Sequence, residues 1–295
     1  MEISFTDMLS KTFNFYLKNI KTYFKTLLVL YVLPNFIVNT IMILLFTAIG
    51  FGFGFGAINN LGDTGSIVLS VLGGGIFAVF LFTLILISLI MTVSIIKLTI
   101  HLKNGKTPKI SELFHESLRY LGSIIQFSII MMAITFGLAI VFIVPGTLMI
   151  VFELFGSIIP GILILIFSIL ILFIILTYIR TNWVFSYLSI IIDKVPVIKS
   201  FKYSKGLVKG NWLRVFGYNL LFGLIVSGAM MVIMIPLMFL IVLLSLIPIF
   251  GSIATNVLSD LMMILVFPLS FIFLIEFYFN MKKLKQPKKM VQKKK

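Results

Sequence analysis

The sequence predicts an all-α, polytopic membrane domain: six transmembrane helices in three hairpins, each preceded by an amphipathic interfacial helix, with both termini in the cytoplasm. Three observations carry this. Mean hydropathy is +1.20 and 60% of the 295 residues are hydrophobic, well above the roughly 45–50% of a soluble domain. The 24 Lys and Arg residues gather in the segments Lys11 to Lys25, Lys97 to Arg119, Arg180 to Arg214 and Lys282 to Lys295. The stretches between them are continuously apolar, whereas β-barrel spans alternate apolar and polar positions.

Each apolar stretch holds two spans of about 20 residues, because the hydrocarbon layer is ~30 Å thick and a helix rises 1.5 Å per residue. The spans are predicted over 26–49, 67–96, 121–144, 161–185, 215–245 and 257–281. Charge inside the stretches is limited to Asp63, Glu153, Asp260 and Glu276. Cytoplasmic loops collect Lys and Arg, so the basic segments mark the inner face and the lysine-free turns the outer one. Those outer turns are marked by breakers: Gly52, Gly54, Gly56, Gly62 and Gly65, then Pro145, Gly146, Pro160 and Gly161, then Pro248 and Gly251.

An amphipathic segment precedes each hairpin. In the first, Phe5, Met8, Leu9, Phe13, Tyr16, Leu17, Ile20 and Phe24 recur at helical spacing opposite Asp7, Lys11, Asn14, Lys18 and Lys21, with Ser4 and Asp7 as a helix start. The second runs from Ser111 to Leu121, and a single shift aligns its Leu113, Tyr120 and Leu121 with Leu9, Tyr16 and Leu17. The third runs from Val197 to Trp212, with Lys199, Lys202, Lys205 and Lys209 interspersed. Such helices lie apolar side down with their basic side toward lipid phosphates. Their recurrence predicts one domain over 1–281 built from three repeats, about 1–103, 104–194 and 195–281, related by a pseudo-three-fold axis. The Lys-rich segment 282–295 reads as a disordered, lipid-attracted tail. No cleavable leader is expected at the N-terminus, where an acid-containing amphipathic helix precedes the first apolar run.

The stretch Arg180-Thr181-Asn182-Trp183-Val184-Phe185, then Ile190-Ile191-Ile192-Asp193, then Ser204-Lys205-Gly206-Leu207-Val208-Lys209-Gly210-Asn211-Trp212 resembles a loose superfamily of prokaryotic six-helix integral membrane proteins. Its members include the membrane domain fused to some glycerophosphodiester phosphodiesterases, together with several families of unknown function. The similarity extends to Asn104-Gly105-Lys106-Thr107-Pro108 and to Val144-Pro145-Gly146, while Val197-Ile198 stands where members carry Ala-Leu. What the resemblance implies is a fold and a prokaryotic membrane location, and no established activity.

Catalytic chemistry is not expected. Spans, interfacial helices and tail account for nearly every residue, leaving no phosphodiesterase domain, and such an enzyme needs clustered carboxylates and His to hold a metal and move protons. The nine acidic residues are scattered, and His101 and His115 have no nearby ligand pair. Zero Cys excludes thiolate metal sites and disulfides. Gly52 to Gly56 has phosphate-loop spacing without the strand–turn–helix context, and Gly73-Gly74-Gly75 reads as close helix packing or a bend. No cofactor is called for.

Charges within spans are expensive, roughly 2.5–3.5 kcal/mol on insertion scales, which singles out Arg180, Glu276 and Asp260. Arg180 and Glu276 are expected at similar depths, where they pair or Arg180 holds a lipid phosphate; the alternative is that each snorkels to the interface. The net charge of +15 hugs the membrane, which favours anionic phospholipids over nucleic acid as the partner. The lipid-facing residues are Arg180, Trp183, Lys199, Lys202, Lys205, Lys209, Trp212 and Arg214. The expected function is lipid binding or membrane organisation in the cytoplasmic membrane; the alternative is a transporter or permease component with a mid-membrane substrate site.

Overall fold

The computed structural model describes residues 4–52, 62–152, 158–247 and 249–285, and among them every regular element is helical. In chain order these are α1 (Phe5–Leu27), a π-helical turn (Leu28–Val32), α2 (Leu33–Gly52), α3 (Gly62–Lys103), α4 (Ile110–Val151), α5 (Ile159–Trp183), α6 (Ser186–Ile192), α7 (Val197–Val208), α8 (Trp212–Ser245) and α9 (Phe250–Lys285). Among the described residues six stretches are long and apolar enough to cross a membrane: Phe5–Leu45, Gly73–Lys103, Ile110–Val151, Ile159–Ile192, Trp212–Leu244 and Gly251–Lys285. Each contains one predicted span or most of it. They present large apolar side chains outward, among them Phe136, Phe173, Ile174, Met231 and Phe239, a surface that suits lipid and not water. Gly54, Gly56, Glu153, Pro248 and the tail beyond Lys285 lie outside the described residues.

The amphipathic segments differ from expectation in two ways. The first two are not separate helices: α1 continues through the π turn into α2, and the second segment is simply the start of α4. No Pro or Gly falls between Phe5 and Leu33, and no Pro between Ile110 and Val144, so nothing stops the helix. Only the third segment stands alone, as α7, because Pro196 precedes it and Gly210, at φ +83°, follows it; Trp212 therefore opens α8. The end of α3 uses the same device, with Gly105 at φ +72° and the Lys106 N–H bonded to the His101 carbonyl.

Contacts divide the chain into two compact units, one of Ser4–Arg119 with Leu221–Glu276, the other of Tyr120–Leu220 with the segment from Phe277 onward. In the first unit α1 starts at an N-cap, the Ser4 hydroxyl accepting from the Asp7 N–H at 3.1 Å. Its buried stripe is Met8, Thr12, Tyr16, Tyr23 and Leu27, while Leu17 and Phe24 are exposed. The stripe shares Met8 and Tyr16 with the expected face but is rotated toward Thr12 and Tyr23, and its polar handles find partners inside: Tyr16 donates to the Leu265 carbonyl at 2.6 Å, and the Tyr23 and Thr99 hydroxyls meet at 2.7 Å. The lysines Lys11, Lys18, Lys21 and Lys25 all stay exposed.

The π turn has a local cause. Pro34 lacks an N–H and its ring crowds the carbonyl four residues back, and the neighbouring Leu33 N–H reaches to Leu28, five residues away. Of the two readings for Gly73, Gly74 and Gly75, close packing is not seen: a methyl group on any of them would meet nothing within 4 Å. Close approach occurs instead in the second unit, where a Cβ on Gly146 would stand 2.9 Å from the Leu165 Cα, and one on Gly161 2.7 Å from the Ile150 side chain. The two contacts run in opposite chain directions, as in an antiparallel helix pair.

Candidate functional site

The second unit assembles most of the residues singled out in the sequence. Its framework is α5, the short α6 and α7. Small residues on facing stripes let α6 and α7 approach: Ser186, Ser189, Ser200 and Ser204 are all fully buried. Their hydroxyls satisfy the backbone where α5 breaks. Ser204 accepts from the Phe185 N–H at 3.1 Å and donates to the Asn182 carbonyl at 2.7 Å, and Ser186 donates to the Ser200 carbonyl at 3.3 Å. These bonds occupy donors and acceptors orphaned at the end of one helix and the start of the next.

The face of α7 opposite the serines is basic. Val197, Ser200, Ser204, Leu207 and Val208 are buried against the protein, while Lys199, Lys202, Lys205 and, just past the helix, Lys209 are exposed. Much of the apolar side of this helix, Val197, Leu207 and Val208, is therefore spent on protein packing, while Ile198 stays exposed. The lysines still point outward as a row.

Asp193 is the polar centre that the sequence reading did not nominate. It caps α6, and Lys194 at φ +55° turns the chain away toward Pro196 and α7. Its carboxylate accepts from the Tyr203 hydroxyl at 3.1 Å, the Tyr278 hydroxyl at 2.5 Å and the Lys282 ammonium at 2.8 Å to each oxygen. Burial pushes the Asp193 carboxyl up, but the hydrogen bonds from Lys282 and Tyr278, the Lys282 charge and Tyr203 outweigh it and hold the group below its ordinary value. A signal existed in the sequence: Asp193 is the one acid among the seven basic residues from Arg180 to Arg214.

Arg180 is exposed on α5 and lines two adjoining cavities that share it and Met131. Trp183 rims the first of them and packs edge-on against Phe201 at 4.8 Å. Trp212 stacks on Phe216 at 5.3 Å and on Tyr178 at 5.9 Å, and its indole N–H is buried without a hydrogen-bond partner among the described residues, so packing holds this half-buried ring in place. The Arg214 guanidinium lies 5.2 Å from the Tyr218 ring centroid.

The other two intramembrane charges lie in the first unit. Glu276 is ion-paired with Lys103 at 2.5 Å, so the partner expected for it, Arg180, is replaced by a basic residue at the end of α3. Glu116 nearby faces Lys97 at 3.9 Å and His101 at 3.4 Å. Asp260 lies ten residues into α9, which starts at Phe250, and is buried, 7% exposed, with the Asn35 amide donating to both carboxylate oxygens at 2.9 and 2.8 Å. Tyr31, on the π turn, donates to the Met263 sulfur at 3.1 Å beside this pair. Among the described residues no group of three His, Cys, Asp or Glu is placed to hold a metal ion. Comparison with known proteins yields no match to a family, to a curated protein or to a solved structure, so the site geometry alone carries the functional argument.

Proposed function

We propose that this chain is a non-enzymatic integral protein of a prokaryotic cytoplasmic membrane, six spans in three hairpins with both termini inside, which binds anionic phospholipids through a basic cytoplasmic face. The observation that carries the reading is the exposed row Lys199, Lys202, Lys205 and Lys209 on a helix whose other face is fixed to the protein. A row held this way presents charge to headgroups without having to insert. Each basic residue near an anionic surface contributes about 1 kcal/mol, and 1.4 kcal/mol is tenfold in affinity. Changing Lys199, Lys202 and Lys205 together to Gln is therefore expected to lower the affinity for phosphatidylglycerol, read by titration of purified protein, by roughly 100-fold at low salt. An unchanged affinity, or one insensitive to salt, removes this reading.

A second reading, a transport component, is favoured by one observation: a buried carboxylate, Asp260, lies inside a membrane-length helix and is hydrogen-bonded by the Asn35 amide. Intramembrane acids mark ion or proton paths by default. If that reading holds, proteoliposomes conduct protons or small cations and the Asp260→Asn variant does not. Tight vesicles with both proteins would leave lipid binding as the function.

A further inference from the structure

The two cavities at Arg180 differ in character along their length. The first, about 360 Å³, is lined by Thr181, Trp183, Tyr187 and Asn219 as well as by Arg180. The second, about 460 Å³, runs along Met132, Phe136, Phe173 and Leu176, with Thr135 and Thr177 its only other polar members. Both volumes fall in the ordinary range for a small-molecule site, roughly 300–1,000 Å³. Sharing Arg180 and Met131, they lie side by side as one groove, its first half mixed, with Phe127 and Val184 beside the polar groups, and its second half more apolar.

Arg180 itself is the unusual member. It lies inside the apolar stretch Ile159–Ile192, and among the described residues it makes no ion pair and no hydrogen bond. A guanidinium near the end of a membrane-length helix can snorkel to headgroup level, and its planar fork of donors matches the oxygens of a phosphate there. Beside it the Asn219 amide nitrogen is already committed to the Val215 carbonyl at 2.8 Å. That leaves the Asn219 carbonyl oxygen free to accept a headgroup hydroxyl.

We propose that this groove is a specific site for a single anionic phospholipid, its phosphate on Arg180 and one acyl chain along Met132, Phe136 and Phe173. The inference rests on the anionic-lipid reading but involves none of the α7 lysines. Phosphate is the chemistry recognised, and the apolar half of the groove commits the ligand to a lipid, since inorganic phosphate would leave that half empty. The belt attracts lipid diffusely and exchanges it, whereas the groove retains one molecule.

The test is native mass spectrometry of the full chain released from vesicles of phosphatidylcholine with a minor share of phosphatidylglycerol, with thermal melting as the folding control. Wild type is expected to retain one phosphatidylglycerol. Arg180→Gln and Thr135→Trp, both at exposed positions, are expected to reduce its occupancy at least tenfold, the first by removing the charge and the second by filling the apolar half. The combined Lys199, Lys202 and Lys205 variant keeps it, and excess inorganic phosphate does not displace it. Retention in Arg180→Gln overturns the site. Retention in Thr135→Trp, or displacement by inorganic phosphate, overturns the acyl-chain half and with it the lipid assignment. Loss in the lysine variant with retention in Arg180→Gln places the retained lipid on the belt and ends the groove; the expected pattern supports the groove and leaves the belt to be decided by the phosphatidylglycerol titration.

Discussion

Asp193→Asn is expected to lower the stability of the detergent-solubilised protein by about 2–4 kcal/mol, read as a fall in thermal midpoint and in the denaturant needed to unfold it. The carboxylate receives three donor groups from two other elements, Tyr203 on α7 and Tyr278 and Lys282 on α9, and thereby ties the end of α6 to both. Hydrogen bonds to a charged group contribute roughly 1.5–3 kcal/mol, and breaking a fully buried pair costs about 3–5 kcal/mol. The side chains of Lys282 and Asp193 are 28% and 20% exposed, so water offsets part of the loss and the top of that combined range is not reached. An asparagine keeps the shape and one acceptor but turns its amide toward an ammonium and two hydroxyls that need acceptors. Tyr278→Phe removes a single donor and should cost less.

The same group sets an acid limb. Because its native-state value is held below the ordinary aspartate value, Asp193 contributes stability in full above that ordinary value, near 3.8. The contribution fades as pH falls through it toward the native value. Wild-type midpoints should thus decline on acidification below about pH 4, in the sense of this linkage, and Asp193→Asn should show a shallower decline from a lower starting point. Parallel acid limbs in the two proteins would show that Asp193 is not the group responsible.

The membrane-length helices were readable because hydropathy and charge are properties of a chain as a string: a stretch free of Lys and Arg between Lys25 and Lys97 needs no tertiary information to be seen as two spans. Pairing is different. Glu276 and Lys103 are far apart in sequence, and nothing local distinguishes Lys103 from Arg180 as the neutralising partner. The face of α1 was misread for a related reason. Scoring tyrosine and threonine as polar or apolar cannot anticipate that Tyr16 and Tyr23 point inward to a carbonyl and a hydroxyl supplied by α9 and α3. Asp193 escaped because its significance lies in Tyr278 and Lys282, 85 and 89 positions away. Even so, the isolated acid amid lysines, next to Pro196, was a local clue of the right kind.

Gly161→Ala is expected to destabilise the protein by about 1–3 kcal/mol, although alanine is ordinarily the better helix former. A Cβ at this position would lie 2.7 Å from Ile150 Cγ1, 2.8 Å from the Ile150 nitrogen and 3.1 Å from the Met149 carbonyl carbon. The side-chain atom can move, but the backbone atoms cannot without parting α4 from α5, and overpacking of this kind costs that much. In a bilayer such contacts weigh heavily, since lipid tails give no hydrophobic drive for helix association and van der Waals packing through small residues takes its place. Gly146→Ala meets Leu165 backbone at 2.9 and 3.0 Å and should behave alike, while the double variant falls short of the sum because both changes separate the same pair. Gly137 on the same helix provides the control: a methyl there meets nothing within 4 Å, so Gly137→Ala should be neutral or stabilising by up to about 1 kcal/mol. Equal thermal midpoints for Gly161→Ala and Gly137→Ala would mean that α4 and α5 do not meet as described, and would take away the antiparallel contact on which the second of the three proposed hairpins rests.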